Sequence, residues 1–231
     1  MAKRLYIIHG WTYGIKPWEP AVKDLREAGI EVVQLKVPGL TYKSDKLWTI
    51  DDYVEWLKGE LSGEKNPIVL GHSNGGRIAL NYITKYPGKL SHLILLDSAG
   101  VYDASTSVSM KRKVLKALSK ALKPLKKVPL FKKVVYRLIG ASDYNLAPPN
   151  MKATLVNMIN SDKNLELDKV KVQTTILWGL DDKTTPIWQG RKMHQLIAGS
   201  ELTEFEGWRH SPYITHPKDL AKAIIKTMEN L

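Results

Sequence analysis

The stretch PIVLGHSNG, residues 67–75, is followed by GRIAL, residues 76–80, and these two segments decide how the chain folds. The apolar run predicts a buried strand and the later residues predict a helix, so the glycine-flanked serine lies on the turn between them. A serine on such a turn adopts a strained backbone that exposes its hydroxyl, and Gly71 and Gly75 relieve the crowding. An ordinary glycine-rich turn is the alternative, but the partners found elsewhere in the chain favour Ser73 as a nucleophile.

The composition narrows the class of protein. The chain has 231 residues, enough for one large domain or for a domain with an insertion, and no cysteine, which excludes disulfides, thiolate nucleophiles and cysteine-ligated metal sites. The N-terminal segment has only four consecutive apolar residues before His9, too few for a signal peptide. No stretch approaches the roughly 20 apolar residues of a membrane span. These features predict a soluble, cytoplasmic protein.

Positive charge is concentrated in one segment. The formal net charge is +12, and the interval between Asp103 and Asp143 holds eleven basic residues and no acidic one, so the remainder carries only 12 − 11 = +1. A basic amphipathic helix suits an acidic carrier protein or an anionic membrane surface, although a solvated outer face is the commoner role of such charges. Lysine dominates arginine and no nucleic-acid-binding motif is visible, so we expect no nucleic acid partner.

Short apolar runs alternate with amphipathic patterns along most of the chain, which predicts an α/β fold with a mostly parallel sheet and helices on both faces. Six strands are predicted near residues 4–8, 30–37, 67–70, 90–96, 173–178 and 201–205. Helices are predicted over 17–28, after a capping box of Thr49 and Asp52, after Ser73, over 186–197 and from Pro217 onward.

Residues 102–168 interrupt this alternation. Apolar residues such as Val114, Leu118 and Leu122 recur there at helical spacing among the lysines. We therefore expect an inserted helical lid at 102–168 and a core formed by residues 1–101 and 169–231. Since no repeat or low-complexity linker separates the two parts, the lid is expected to pack on the sheet.

A serine hydroxyl needs a base to take its proton and a third group to hold that base in the correct tautomer. His210 is the favoured base because it follows the last predicted strand, at the sheet edge that also carries Ser73. A carboxylate at the end of a neighbouring strand should complete the set. Asp182 is favoured, with Asp181 beside it and Asp97 after the preceding strand as alternatives.

The oxyanion that forms on a substrate carbonyl needs main-chain N–H donors that are in place before the reaction. The amide of Asn74 directly follows the nucleophile at a helix start, and the amide of Trp11 lies in the loop after the first strand. We expect these two amides to form the oxyanion hole. His9 and Gly10 then shape the loop, and His9 and His72 are expected to be buried, structural histidines.

Four segments resemble the signature loops of the α/β-hydrolase superfamily: HGW at 9–11, GHSNG at 71–75, GLDD at 179–182 with Pro186, and GWRH at 207–210. In that family the acid lies three residues after the glycine of the third loop and four before the proline, which falls on Asp182. The resemblance implies a reduced six-stranded sheet, because the first strand here corresponds to the family's third. The HGW loop and the helical insertion look most like lid-bearing serine carboxylesterases, such as the pimeloyl-carrier-protein methyl esterases, and their C–C hydrolase relatives.

This resemblance implies a serine hydrolase, with no metal and no cofactor, that cleaves carboxylic esters of short or medium acyl groups through an acyl-enzyme. Serine at position 73 argues against the dehalogenase and epoxide hydrolase relatives, which carry aspartate there. The alternatives are a C–C bond hydrolase or an acyltransferase with the same triad, and a non-catalytic small-molecule binding protein on the same fold. The expected partners are a small-molecule ester and, at the basic lid, an acidic carrier or an anionic surface.

Overall fold

Six strands form one sheet in the computed structural model, which describes residues 3–102 and 147–231. The strands are β1 Arg4–Ile8, β2 Glu31–Gln34, β3 Ile68–His72, β4 His92–Leu96, β5 Thr174–Gly179 and β6 Glu201–Phe205. Their order is β2-β1-β3-β4-β5-β6, and every neighbouring pair is parallel. The predicted six-stranded sheet is therefore confirmed.

Helices connect the strands. They are α1 Glu19–Glu27, α2 Ile50–Glu60, α3 Asn74–Lys85, α4 Pro149–Ser161, α5 Trp188–Leu196, α6 Pro212–Thr215 and α7 Pro217–Glu229. At the start of α2 the Thr49 hydroxyl accepts from the Asp52 amide at 3.2 Å, and the Asp52 carboxylate accepts from the Thr49 amide at 2.8 Å, so the predicted capping box is present. Among the described residues, no helix combines the length and the apolar character that crossing a bilayer requires.

Apolar side chains cover both faces of the sheet. In β1, Tyr6 and Ile8 belong to a core cluster that includes buried residues of α2 and α3, whereas Leu5 and Ile7 belong to a second cluster with residues of α1 and α7. Successive side chains of a strand point to opposite faces, so the continuous apolar run of β1 serves both layers. A parallel sheet buried on both sides is what such runs predict.

Strand β2 is shorter than predicted: it ends at Gln34 and not near residue 37. The Leu35 amide still donates to the carbonyl oxygen of Ile7 at 3.0 Å, and the chain then turns over residues 37–42, where Pro38 has no N–H to donate and Gly39 adopts a φ of 77°. The carbonyl oxygen of Val37 then accepts a hydrogen bond from the Thr41 amide at 3.0 Å. This turn brings the Thr41 side chain beneath the loop that follows β1.

The predicted lid at 102–168 lies mostly outside the described residues, which omit 103–146 and with them the eleven basic residues. Its last part is described and contains α4. Met151 and Met158 of α4 are buried in the core cluster, and the Thr154 hydroxyl accepts a hydrogen bond from the Trp48 amide at 2.9 Å. The end of the segment therefore packs on the core, while the boundaries of a lid stay a prediction.

The carboxyl edge of the sheet collects the loops that carry the predicted site residues. From β1 the chain passes to β2 on one side, and β3 pairs with β1 on the other, so the strand order reverses between β1 and β3. In open parallel sheets, ligands bind in the crevice at such a point. Ser73 follows β3 directly and Trp11 follows β1, which places both at this crevice.

Candidate active site

Ser73 lies on a strained turn between β3 and α3. Its φ is 53° and its ψ is −119°, a combination that costs free energy in any residue with a side chain. Glycine is required on both sides, because a Cβ at Gly71 would lie 2.5 Å from the Cα of Gly76 and a Cβ at Gly75 would lie 2.0 Å from the carbonyl oxygen of Ile8. A turn of this geometry lifts the serine hydroxyl above the sheet edge.

His210 links the serine to a carboxylate. Its Nε2 lies 2.9 Å from the hydroxyl oxygen of Ser73, and its Nδ1 lies 2.7 Å from Oδ2 of Asp182. The imidazole is partly exposed, while the carboxylate is fully buried. Three side chains from three separate loops therefore form one continuous hydrogen-bonded chain.

Asp182 is held in its ionised form by four donors. The Thr184 and Thr185 amides donate to Oδ1 at 2.6 and 3.1 Å, and the Thr185 hydroxyl donates to Oδ2 at 2.6 Å beside the His210 bond. Burial alone would raise the pKa of Asp182, but His210 and these hydrogen bonds outweigh it, so the pKa is lowered. A buried carboxylate with this set of donors keeps the neighbouring imidazole oriented.

The two alternative carboxylates are placed differently. Asp181 is exposed, and Asp97 is fully buried with a φ of 42° and accepts a hydrogen bond from the Gly179 amide at 2.8 Å. Burial, and secondarily the charge of Asp182, raise the pKa of Asp97 well above its usual value. Within the described residues neither side chain is hydrogen-bonded to His210, so Asp182 is the carboxylate that the fold brings to the imidazole.

The loop after β1 lies directly against Ser73. A Cβ at Gly10 would lie 2.9 Å from the Cβ of Ser73, so only glycine allows this approach. Three amides, those of Gly76, Arg77 and Ala99, donate to the carbonyl oxygen of Ser73 at 3.0 to 3.2 Å and fix the turn.

The two amides predicted to hold the oxyanion belong to Trp11, in the loop after β1, and to Asn74, at the start of α3. Within residues 3–102 and 147–231, neither main-chain N–H donates to another protein group. The oxyanion hole formed by these two N–H groups stays a prediction.

His9 and His72 are buried and neutral. His9 donates from Nδ1 to the carbonyl oxygen of Gly10 at 2.8 Å, and its Nε2 accepts from the Thr41 hydroxyl at 2.7 Å. His72 donates from Nε2 to the carbonyl oxygen of His210 at 2.7 Å. Burial lowers the pKa of His9 to about 4 and that of His72 to about 3, with the charge of His210 a second cause for His72. These histidines connect loops through hydrogen bonds and are not placed to transfer protons.

Two groups at the site are absent from the sequence prediction. Thr185 contacts the Asp182 carboxylate, and its position three residues after an aspartate is a recognisable turn signal. Arg77 of α3 forms a buried ion pair with Asp162, which follows α4. No local pattern could indicate that pair, because its members are 85 residues apart.

Comparisons with known proteins identify the family to which the fold belongs. The family model described as the alpha/beta hydrolase fold matches residues 3–125. The chain is 24% identical to the pimeloyl-[acyl-carrier protein] methyl ester esterase of Aromatoleum aromaticum, across 95% of this chain and 96% of that protein. It is 26% identical to the monoacylglycerol lipase ABHD6 of Homo sapiens, across 96% of this chain and 74% of that protein.

A solved structure shares the fold. The esterase from Exiguobacterium antarcticum superimposes with a TM-score of 0.76 over 99% of this chain and 92% of that one, at 17% identity. The sheet order, the strained serine turn and the family match all indicate the same fold. The chain belongs to the α/β-hydrolase fold family and is a hydrolase of the carboxylesterase type.

Proposed function

We propose that the protein cleaves carboxylic esters of short or medium acyl groups, with Ser73 as nucleophile, His210 as general base and acid, and Asp182 as the orienting carboxylate. One observation carries the proposal. The Ser73 hydroxyl, the His210 ring and the Asp182 carboxylate form an unbroken chain at 2.9 and 2.7 Å, and that chain begins at a strained serine.

In the first half of the reaction, Ser73 Oγ attacks the ester carbonyl carbon while His210 Nε2 takes the hydroxyl proton. The carbonyl oxygen becomes an oxyanion, which the main-chain N–H groups of Trp11 and Asn74 stabilise. When this intermediate collapses, the C–O bond to the alcohol breaks and His210 returns the proton to the departing alcohol. Asp182 stays ionised throughout and holds the Nδ1–H of His210.

Water completes the cycle. It attacks the acyl-enzyme carbonyl, gives its proton to His210 Nε2, and forms a second oxyanion at the same two amides. Collapse releases the carboxylic acid as His210 returns the proton to Ser73. Because every step uses the same proton acceptor, His210 must be neutral for the cycle to begin.

The proposed substrates follow from the relatives and the charge. One relative is named for a methyl ester on an acyl-carrier protein and another for monoacylglycerol, and both substrates are carboxylic esters. A small-molecule ester is therefore the proposed substrate, and an acidic carrier or an anionic surface is the proposed partner of the basic segment. We propose the cytoplasm as the compartment, as the composition predicts.

The test is a screen of p-nitrophenyl acetate, butyrate, octanoate and dodecanoate with wild type and four variants. Ser73→Ala should lower kcat by about 10⁴-fold or more, and Asp182→Asn by roughly 10⁴-fold, because the amide stabilises the wrong histidine tautomer. Asp181→Asn is the matched control, since its side chain is exposed, and should stay close to wild type. Asp97→Asn should lose far less activity than Asp182→Asn.

The outcomes separate the alternatives. Turnover that survives Ser73→Ala rejects the mechanism, and loss confined to Asp97→Asn rejects the assignment of the acid. An acyl-enzyme that forms but transfers its acyl group to an added alcohol in preference to water indicates an acyltransferase. A wild type that neither hydrolyses any ester nor reacts with a fluorophosphonate at Ser73 indicates a binding protein on this fold.

A further inference from the structure

A buried ion pair lies beside the proposed oxyanion hole. Arg77 of α3 and Asp162, which directly follows α4, are only 5% and 6% exposed. The guanidinium donates from Nε and Nη2 to the two carboxylate oxygens of Asp162 at 2.7 and 2.8 Å, which is a bidentate arrangement. The pair thus joins the helix that follows the nucleophile to the segment that follows α4.

The remaining terminal nitrogen of Arg77 contacts a residue of the oxyanion hole. Nη1 donates to the side-chain oxygen of Asn74, three residues earlier on α3. Asn74 is itself buried and follows Ser73, whose backbone is strained. Because the Asn74 side chain is held at its oxygen, this bond restricts movement of the peptide that carries the Asn74 N–H.

Stability alone is a weak reason for such a pair. Removing two charges from water costs about as much free energy as their attraction returns, and apolar residues of similar volume often replace a buried ion pair without loss of stability. The pair is better explained by the orientation that it gives to the Arg77 N–H donors, because the planar guanidinium presents them in a fixed geometry. Asp162 binds the edge formed by Nε and Nη2, and this orients Nη1 toward Asn74.

We propose that Arg77 and Asp162 are positioning residues that hold the Asn74 amide in place for the oxyanion. The inference rests on the proposed function, because it assumes that a tetrahedral intermediate forms at Ser73. Neither residue touches the substrate: Arg77 acts through Asn74, and Asp162 acts through Arg77. The position of the segment after α4 is thereby coupled to stabilisation of the transition state.

The main experiment uses the double variant Arg77→Met/Asp162→Leu. It removes both charges together, so no unpaired buried charge remains and the chain should fold with a melting temperature near that of wild type. It also removes the donor that holds Asn74. We expect kcat for p-nitrophenyl butyrate to fall about 10-fold with KM nearly unchanged, less than the 10²–10³-fold lost when an oxyanion donor is removed outright.

A transition-state analogue supplies the second readout. A trifluoromethyl ketone forms a hemiketal with Ser73 whose oxygen occupies the oxyanion hole, so its inhibition constant should rise by the same factor as kcat falls. The matched control is Arg191→Met/Glu204→Gln, which removes an exposed bidentate pair with distances of 2.8 Å. That control should leave kcat and the inhibition constant at the wild-type values.

A further variant guards against misfolding of the double variant. Asn74→Ala keeps the main-chain N–H and the buried pair but removes the oxygen that Arg77 holds, so it should lower kcat by a similar factor. Combining it with Arg77→Met/Asp162→Leu should cause little additional loss, because all three changes break one link. Wild-type kcat in Asn74→Ala, or in a folded double variant, overturns the inference while ester hydrolysis stands. An inactive wild type that does not react with fluorophosphonate rejects the proposed function itself, and the inference with it.

Discussion

His72 shows how one side chain can hold together two loops of the proposed active site. It precedes Ser73 in the chain, and its Nε2 donates to the carbonyl oxygen of His210, 138 residues away. The ring also packs edge-on against Tyr213, with the ring centroids 5.1 Å apart. A charged imidazole would lose its hydration in this buried position, and burial therefore lowers the pKa of His72 to about 3.

This lowered pKa predicts how stability depends on pH. His72 binds a proton in the unfolded chain below about pH 6.5 but stays neutral in the folded chain down to about pH 3, so its contribution is complete above pH 6.5 and is lost as the pH falls. The slope is about 1.4 kcal/mol per pH unit. His72→Gln should therefore flatten the dependence of the free energy of unfolding on pH by about that slope between pH 4 and 6, measured by urea denaturation.

The slope of His72→Gln must be compared with that of wild type, because Asp97 affects the pH dependence of the free energy of unfolding in the opposite sense. Its pKa is raised, so its contribution is lost as the pH rises above the usual value of 3.8. Both proteins contain Asp97, so its contribution drops out when the slope of His72→Gln is subtracted from that of wild type. His194→Gln, which replaces an exposed histidine, is the control and should follow wild type. Equal slopes in His72→Gln and wild type would contradict the assignment of His72 as a buried neutral group.

At the scale of elements, the loop after β1 depends on one glycine. A Cβ at Gly10 would lie 2.9 Å from both His72 Nδ1 and Ser73 Cβ, closer than such atoms approach in folded proteins. The loop would relieve this contact by moving away from the turn that carries Ser73. Because Trp11 directly follows, its amide would move as well.

Gly10→Ala should therefore lower kcat strongly while it lowers the free energy of unfolding only slightly. A displacement of about 1 Å in a catalytic group can cost roughly 10²-fold in rate, and we expect a loss of that size for p-nitrophenyl butyrate. Gly14→Ala is the matched control in the same loop, because a Cβ there would have no neighbour within 4 Å. If Gly10→Ala retains the kcat of Gly14→Ala, the loop does not supply an oxyanion donor.

At the scale of the whole molecule, the net charge is a property of one segment. Of the formal charge of +12, eleven units lie between Asp103 and Asp143, outside the described residues. A segment with this charge attracts anionic partners at low salt, and the attraction weakens as the Debye length falls from about 10 Å at 0.1 M salt to about 3 Å at 1 M.

Salt therefore tests the proposed acidic partner. For a methyl ester carried on an acidic carrier protein, kcat/KM should fall about 10-fold between 0.05 and 0.5 M NaCl, because steering is screened. For neutral p-nitrophenyl butyrate it should change little. Replacing Lys126, Lys127, Lys132 and Lys133 by glutamine should flatten the first profile and leave the second as it was. Flat profiles for both substrates in the wild type would assign these lysines to a solvated face.

Much of the fold follows from local sequence. The strand at Arg4–Ile8, the capping box at Thr49 and the strand at Glu201–Phe205 occur where the periodicity and the end signals predict them. The strained turn at Ser73 is marked locally by glycines two residues to either side, although Gly75 is needed because β1 lies against it. Short-range sterics and alternation of apolar residues are encoded in neighbouring positions, which is why a single sequence reveals them.

The tertiary structure alone decided which groups meet. Asp181 and Asp182 are adjacent in the sequence, yet only Asp182 is buried and bonded to His210, because the strand end turns one side chain inward and the other to solvent. The pair of Arg77 and Asp162 likewise exists only because the segment after α4 returns to lie against α3. Contacts between distant residues depend on how elements pack, and neither spacing nor residue type records that packing.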